Sequence, residues 1–249
     1  MHEQLVYGLH AVEALLARAP ERVTALWALR GRHDARIEAL LDIARAAGIT
    51  IHNVERDKLD EMTGGGRHQG IATHSREVAP LSETGLEDLV TALTVPPLLL
   101  VLDGVQDPHN LGACLRSADA AGAHAVIAPR DRAASLTATV RKVASGAAEN
   151  IPFAQVTNLA RTLRWLQDAG IWIVGAAGEA ESSLYDVDLR GPLALVLGAE
   201  GKGMRRLTRE CCDHLAHVPM AGSVASLNVS VAAGLFLFEA VRQRRTPGA

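Results

Sequence analysis

Residues Leu98–Gly122 read LLLVLDGVQDPHNLGACLRSADAAG. An unbroken aliphatic run, Leu98–Leu102, ends in Asp103, and apolar residues at consecutive positions describe a strand buried on both faces. Asp107-Pro108 is a turn signal. Asn110 is a good N-cap for the helix expected next, and Arg116 lies six residues beyond it. Ala113, Ala118, Ala120 and Ala121 are small enough for that helix to pack closely. A strand, a turn and a helix in this order form the first half of a βαβ unit.

The same rhythm continues outward from this stretch. Ala125–Ala128, Trp172–Ala176 and Leu193–Gly198 are further apolar strands with helical segments between them, as in an open parallel sheet. A long final helix is expected over Ser226–Gln243, with Arg242, Arg244 and Arg245 at its C-terminal end. Upstream, Tyr7–Pro20 reads as a helix, Val23–Leu29 as a strand, Ile37–Ala47 as a helix and Ile49–Val54 as a strand. Asp57–Met62 is a short helix and Gly70–Ser75 a third strand. The expected organisation is a small α/β domain over 1–76, a linker over 77–96 that contains one helical turn, and a larger α/β domain over 97–249.

Composition narrows the function. Among 249 residues 48% are hydrophobic but only 3% aromatic, so the core is aliphatic. A formal net charge of −3 argues against a protein that simply coats nucleic acid, and leaves room for an enzyme with a local basic patch. No stretch has the length and apolarity of a membrane span, and the first ten residues lack a signal-peptide pattern. The three cysteines and ten histidines show neither metal-ligand spacing nor HExxH, so no metal is expected.

Two further stretches carry chemistry. Leu195–Arg206, LVLGAEGKGMRR, places three glycines after a strand, where backbone can approach a ligand. It is neither a Walker loop nor a dinucleotide fingerprint. Val218–Ala240, VPMAGSVASLNVSVAAGLFLFEA, sets Ser223, Ser226, Asn228 and Ser230 in apolar surroundings, where polar groups need partners. Ser226 or Asn228 could cap the final helix.

Together the three stretches resemble, in order and spacing, the motifs of the SpoU, or TrmH-type, branch of the SPOUT RNA methyltransferases. The resemblance rests on Asn110, Gly112 and Arg116; on Gly198, Glu200 and Gly203; and on Pro219, Gly222, Ser226, Leu227 and Asn228. Tyr7–Leu16 and Gly66–Ala72 resemble the L30e-like substrate domain of the subgroup that methylates a guanosine in 23S ribosomal RNA. The resemblance implies a parallel-sheet catalytic domain with a trefoil knot, a homodimer, a cytoplasmic location and S-adenosylmethionine as methyl donor. It implies catalytic roles for Asn110, Arg116, Glu200, Ser226 and Asn228. It also implies donor contacts from Gly175, Leu197, Gly198, Gly201, Val218, Met220, Ser226 and Leu227. Arg67 and His68 are expected to meet the RNA. The alternatives are methylation of another rRNA or tRNA nucleotide, including antibiotic-resistance methylation, and a non-catalytic RNA-binding protein on the same scaffold.

Overall fold

The computed structural model describes residues 3–32, 34–76 and 79–245. It divides into two compact units: residues 1–79 with 136–150, and residues 80–135 with 151–249. This division differs from the expected one in two ways. The segment 136–150 belongs with the front unit, and the helix read as part of a linker belongs to the second unit. The start of that linker, Glu77 and Val78, lies outside the described residues.

The front unit begins with β1 (Glu3–Tyr7), α1 (Leu9–Arg18), β2 (Val23–Leu29), α2 (Ala35–Ala46), β3 (Thr50–Val54), α3 (Arg56–Thr63) and β4 (Ile71–Arg76). Its sheet runs β1-β4-β2-β3, antiparallel except for the β2–β3 pair. The spacing of Leu9, Val12, Leu15 and Leu16 on α1, and of Ile37, Leu40, Leu41 and Ala44 on α2, buries one stripe of each helix against Val6, Leu26, Ala28 and Ile71. The side chain of Asp34 caps α2 by accepting from the Ile37 N–H at 3.2 Å.

The second unit opens with α4 (Glu83–Ala92), β5 (Leu98–Asp103), α5 (Pro108–Ala120) and β6 (Ala125–Pro129). The chain then supplies α6 (Ala138–Ala144) and α7 (Ala147–Asn150) to the front unit. There Glu149 takes ion pairs from Arg22, at 3.0 Å, and from the buried Arg141. The second unit resumes with β7 (Phe153–Val156), α8 (Leu159–Asp168), β8 (Trp172–Ala176), β9 (Ser182–Ser183), β10 (Leu193–Gly198), α9 (Arg206–Glu210), β11 (His214–His217) and α10 (Val229–Arg245).

The second sheet has the order β7-β6-β5-β10-β8-β11-β9, and every pairing is parallel. Leu98–Leu102 are all buried, as a strand covered on both faces requires. Leu86 and Val90 of α4 and Leu159, Leu163 and Leu166 of α8 join the core formed with Leu99 and Val101. That apolar stripe is why α4 packs into the second unit. α10 packs on α5 and on β10. From β5 the chain steps outward through β6 and β7, then reappears at β8 with β10 inserted between. Such a reversal opens a crevice beyond the carboxyl ends of the strands. No helix among the described residues is long and apolar enough to cross a membrane.

Candidate active site

The site lies beyond the carboxyl ends of β5, β8, β10 and β11. At the end of β5 the buried Asp103 accepts from the Arg205 backbone N–H at 2.8 Å and from its Nε at 2.6 Å. The loops after β5 and β10 are thereby clamped to each other. α5 starts at Pro108, and its cap is Asp107, whose Oδ1 accepts from the His109 N–H at 2.9 Å. Asn110 therefore does not cap the helix. It sits in the first turn, buried, with its side chain free for a longer-range contact.

That contact is Asn228. Its Nδ2 donates to Asn110 Oδ1 at 2.9 Å and to Glu200 Oε1 at 2.6 Å. Asn228 Oδ1 accepts from the N–H and the hydroxyl of Ser230, at 2.9 and 2.6 Å, and so caps α10. α10 consequently begins at Val229, three residues later than its sequence pattern suggests, and Ser226 and Leu227 remain in the preceding loop. One amide thus joins all three motif stretches. Glu200 keeps its other oxygen uncommitted among the described residues.

Next to this junction is a cavity of about 340 Å³, and Glu200 is on its wall. Seven of the eight residues expected to hold the methyl donor line it: Leu197, Gly198, Gly201, Val218, Met220, Ser226 and Leu227. Gly175 does not. A Cβ there would lie 2.7 Å from Cys212 Sγ and 2.8 Å from Met204 Cε, so this glycine is needed for packing behind the strand ends. Gly198 has a similar explanation. A Cβ there would come within 2.0 Å of the Gly203 carbonyl carbon and 2.2 Å of the Met204 nitrogen. The loop folds back on its own first glycine, closed by the Gly203 N–H donating to Ala199 O at 2.8 Å.

The cavity suits an adenosyl ligand with a charged, polar end. Leu197, Val218, Leu227 and Phe236 give apolar walls, and Gly198–Gly203 offers backbone groups. His217 also lines it, and its buried Nδ1 has no hydrogen-bond partner. An orphaned polar atom on a cavity wall fits a ligand that completes it. Sequence reading missed His217, because a lone histidine at a strand end carries no motif.

The other expected residues fall elsewhere. Arg116 is exposed on α5 and has no hydrogen bond or ion pair among the described residues, with Asn110, Glu200, Asn228 or otherwise. Arg67 is exposed in the loop before β4. His68, next to it, is 5% exposed. Its Nε2 meets Asp60 Oδ1 at 3.0 Å and its Nδ1 accepts from the Gly70 N–H at 3.0 Å. Both ring nitrogens are spent inside the protein, so His68 shapes the loop and is not available to RNA. No group of three or more metal-binding side chains occurs among the described residues. All three cysteines are free thiols, and burial pushes those of Cys114 and Cys212 up to about 12.

Known proteins align with this arrangement along nearly the whole chain. Residues 97–238 match the model of the SpoU rRNA Methylase family, and residues 5–80 match that of the RNA 2'-O ribose methyltransferase substrate binding domain. The chain is 57% identical over 244 residues to the 23S rRNA (guanosine-2'-O-)-methyltransferase RlmB of Shewanella oneidensis, covering 98% of this chain and 99% of the relative. It is 58% identical over 241 residues to the RlmB of Escherichia coli, covering 97% and 99%. Among solved structures it resembles the SpoU methyltransferase AviRb from Streptomyces viridochromogenes in complex with AdoMet. That match has a TM-score of 0.80 and 26% identity, and covers 97% of this chain and 90% of AviRb.

Proposed function

Because the chain belongs to the SpoU rRNA methylase family, we propose that it transfers a methyl group from S-adenosylmethionine to the 2'-hydroxyl of a guanosine ribose in 23S ribosomal RNA. The observation that carries this reading is the Asn110–Asn228–Glu200 junction at the wall of the glycine-rich cavity. A non-catalytic scaffold would have no need to hold a carboxylate and two amides there.

S-adenosylmethionine, when bound, supplies a sulfonium methyl that is already a strong electrophile, so no metal is called for. The protein's task is to bring the ribose oxygen into line and to take or polarise its proton as the O–C bond forms. Leu197, Gly198, Gly201, Val218, Met220, Ser226 and Leu227 would hold the donor. Asn110 would position the ribose, and Glu200, held by Asn228, would fix the target nucleotide or Arg116. Ser226 and Asn228 would order the loop that closes the cavity. Arg116, free of internal partners, would clamp the adjoining phosphate with its planar fork and assist removal of the proton, alone or together with that phosphate.

In the same reading the front unit selects the RNA, through Arg67 among others, and the protein works in the cytoplasm. The trefoil knot implied by the family belongs to the proposal too. So does a homodimer. Val231 and Phe238 of α10 and Tyr185 are each about half exposed, and they surround a groove next to Ser117, the neighbour of Arg116. An apolar surface of this kind favours cover by a second copy. The assay is transfer of labelled methyl from S-adenosylmethionine to unmodified 23S rRNA. Nucleoside analysis should find 2'-O-methylguanosine, and label on a base would refute the reading.

A further inference from the structure

Several arginines of the second unit are already neutralised. Arg190, Arg205, Arg206, Arg209 and Arg242 each hold a carboxylate. Arg130 and Arg132 do not. Both are exposed in the loop that follows β6, and neither side chain has a hydrogen bond or ion pair among the described residues. In a chain with a net charge of −3, unpaired arginines close to the site are a local resource for holding an anion.

The loop is held firmly. At one end the Arg130 N–H donates to Val156 O at 2.8 Å. At the other, the buried Ala134 donates its N–H to Val105 O at 2.8 Å. Val105 lies in the loop that leads to Asp107 and Asn110. Between these ties Arg132 has φ 58, a left-handed backbone that residues other than glycine adopt at a steric cost. The loop also adjoins the site. A Cβ built on Gly104 would lie 3.8 Å from Arg132 O and 3.9 Å from the Cβ of Ala199, the residue before Glu200. The backbone of Arg132 is therefore next to the loops that carry Asn110 and Glu200.

We propose that Arg132 is an RNA-binding residue that holds a phosphate of the substrate strand close to the target nucleotide, with Arg130 supporting it from the same loop. The proposal rests on the methyltransferase reading above. A guanidinium fork matches a phosphate in geometry and charge, and phosphate contacts set the register of a nucleic acid while carrying much of its affinity. Asp131, between the two arginines, keeps the loop from being a diffuse basic surface. The selection is for one placed phosphate.

The test uses Arg132→Gly in the full-length protein, since glycine removes the side chain and relieves the left-handed backbone. The melting temperature should be unchanged or higher, so any loss of binding cannot be assigned to misfolding. Affinity for unmodified 23S rRNA should fall about tenfold and the salt slope of log K by about 0.7, the contribution of one phosphate contact on a single strand. The rate at saturating RNA and the affinity for S-adenosylmethionine should change little. Arg132→Lys should recover part of the affinity. Arg164→Ala, an exposed and equally unpaired arginine on α8, should behave as the wild type. An active wild type matched by Arg132→Gly in affinity and salt slope overturns the proposal. So does an equal loss in Arg164→Ala, which would reduce the effect to bulk charge. A wild type that neither binds nor methylates rRNA overturns the methyltransferase reading itself.

Discussion

Asn228 donates its side-chain N–H to the side-chain oxygen of Asn110, 118 positions earlier in the chain, at 2.9 Å. The bond connects the first turn of α5 to the residue that caps α10. Those two helices pack on each other, so the contact fixes their starting points relative to the ends of β5 and β10. Asn228 also holds Glu200, and one amide orients both Asn110 and Glu200.

Asn228 should therefore reveal two separable functions. Asn228→Ala removes the cap of α10 and should cost about 1 kcal/mol of stability, together with most of the methylation rate. Asn228→Asp keeps a capping oxygen but places a second carboxylate against Glu200. It should recover the stability and not the rate. Denaturant titration and single-turnover methylation of both variants measure the split, and recovery of both properties in Asn228→Asp would discount the amide donor.

Gly198 and Gly201 should differ although both line the cavity. A Cβ at Gly198 collides with backbone that cannot swing away. Gly198→Ala should cost about 1–3 kcal/mol through overpacking and abolish donor binding. Gly201 has φ 71 and open space around it. Gly201→Ala should cost about 1 kcal/mol for the left-handed backbone and still bind the donor. Calorimetry with S-adenosylmethionine decides between them, and tight binding by Gly198→Ala would contradict the loop geometry.

Arg116→Ala should retain donor binding and lose about a hundredfold or more in single-turnover methylation. Arg116→Lys should recover little, because a point charge does not reproduce the bidentate fork. Near-normal rates in both, at saturating RNA and donor, would remove Arg116 from the chemistry.

In the front unit, Arg67→Ala and His68→Ala should fail in different ways. Loss of Arg67 should weaken rRNA binding and lower its salt dependence, with no change in melting temperature. Loss of His68 strips partners from Asp60 and the Gly70 N–H, and should lower stability first. Unchanged rRNA binding in Arg67→Ala would move the RNA surface elsewhere on the unit.

The sequence made the strands and the motif glycines legible because both leave local marks. Leu98–Leu102 is apolar at every position, and seven of the eight expected donor contacts do line the cavity. What escaped was set by distant partners. β1 was hidden because Glu3–Tyr7 has no strong alternation, and β7 because Gln155 interrupts its short apolar run. The stripe of Leu86 and Val90 on α4 gives no hint of which unit it will enter. The return of residues 136–150 to the front unit depends on Arg22 and Glu149, 127 positions apart. His68 sits in a motif stretch and Gly175 in an expected strand, yet their contacts, Asp60 and Cys212, turn them toward packing.

The most direct test is to map ribose methylation on 23S rRNA from a strain lacking the gene, with and without the gene restored. The account predicts a single 2'-O-methylguanosine that is absent in the deletion, returns with the wild-type gene, and stays absent with Arg116→Ala. An unchanged 23S methylation map across all of these strains would contradict it.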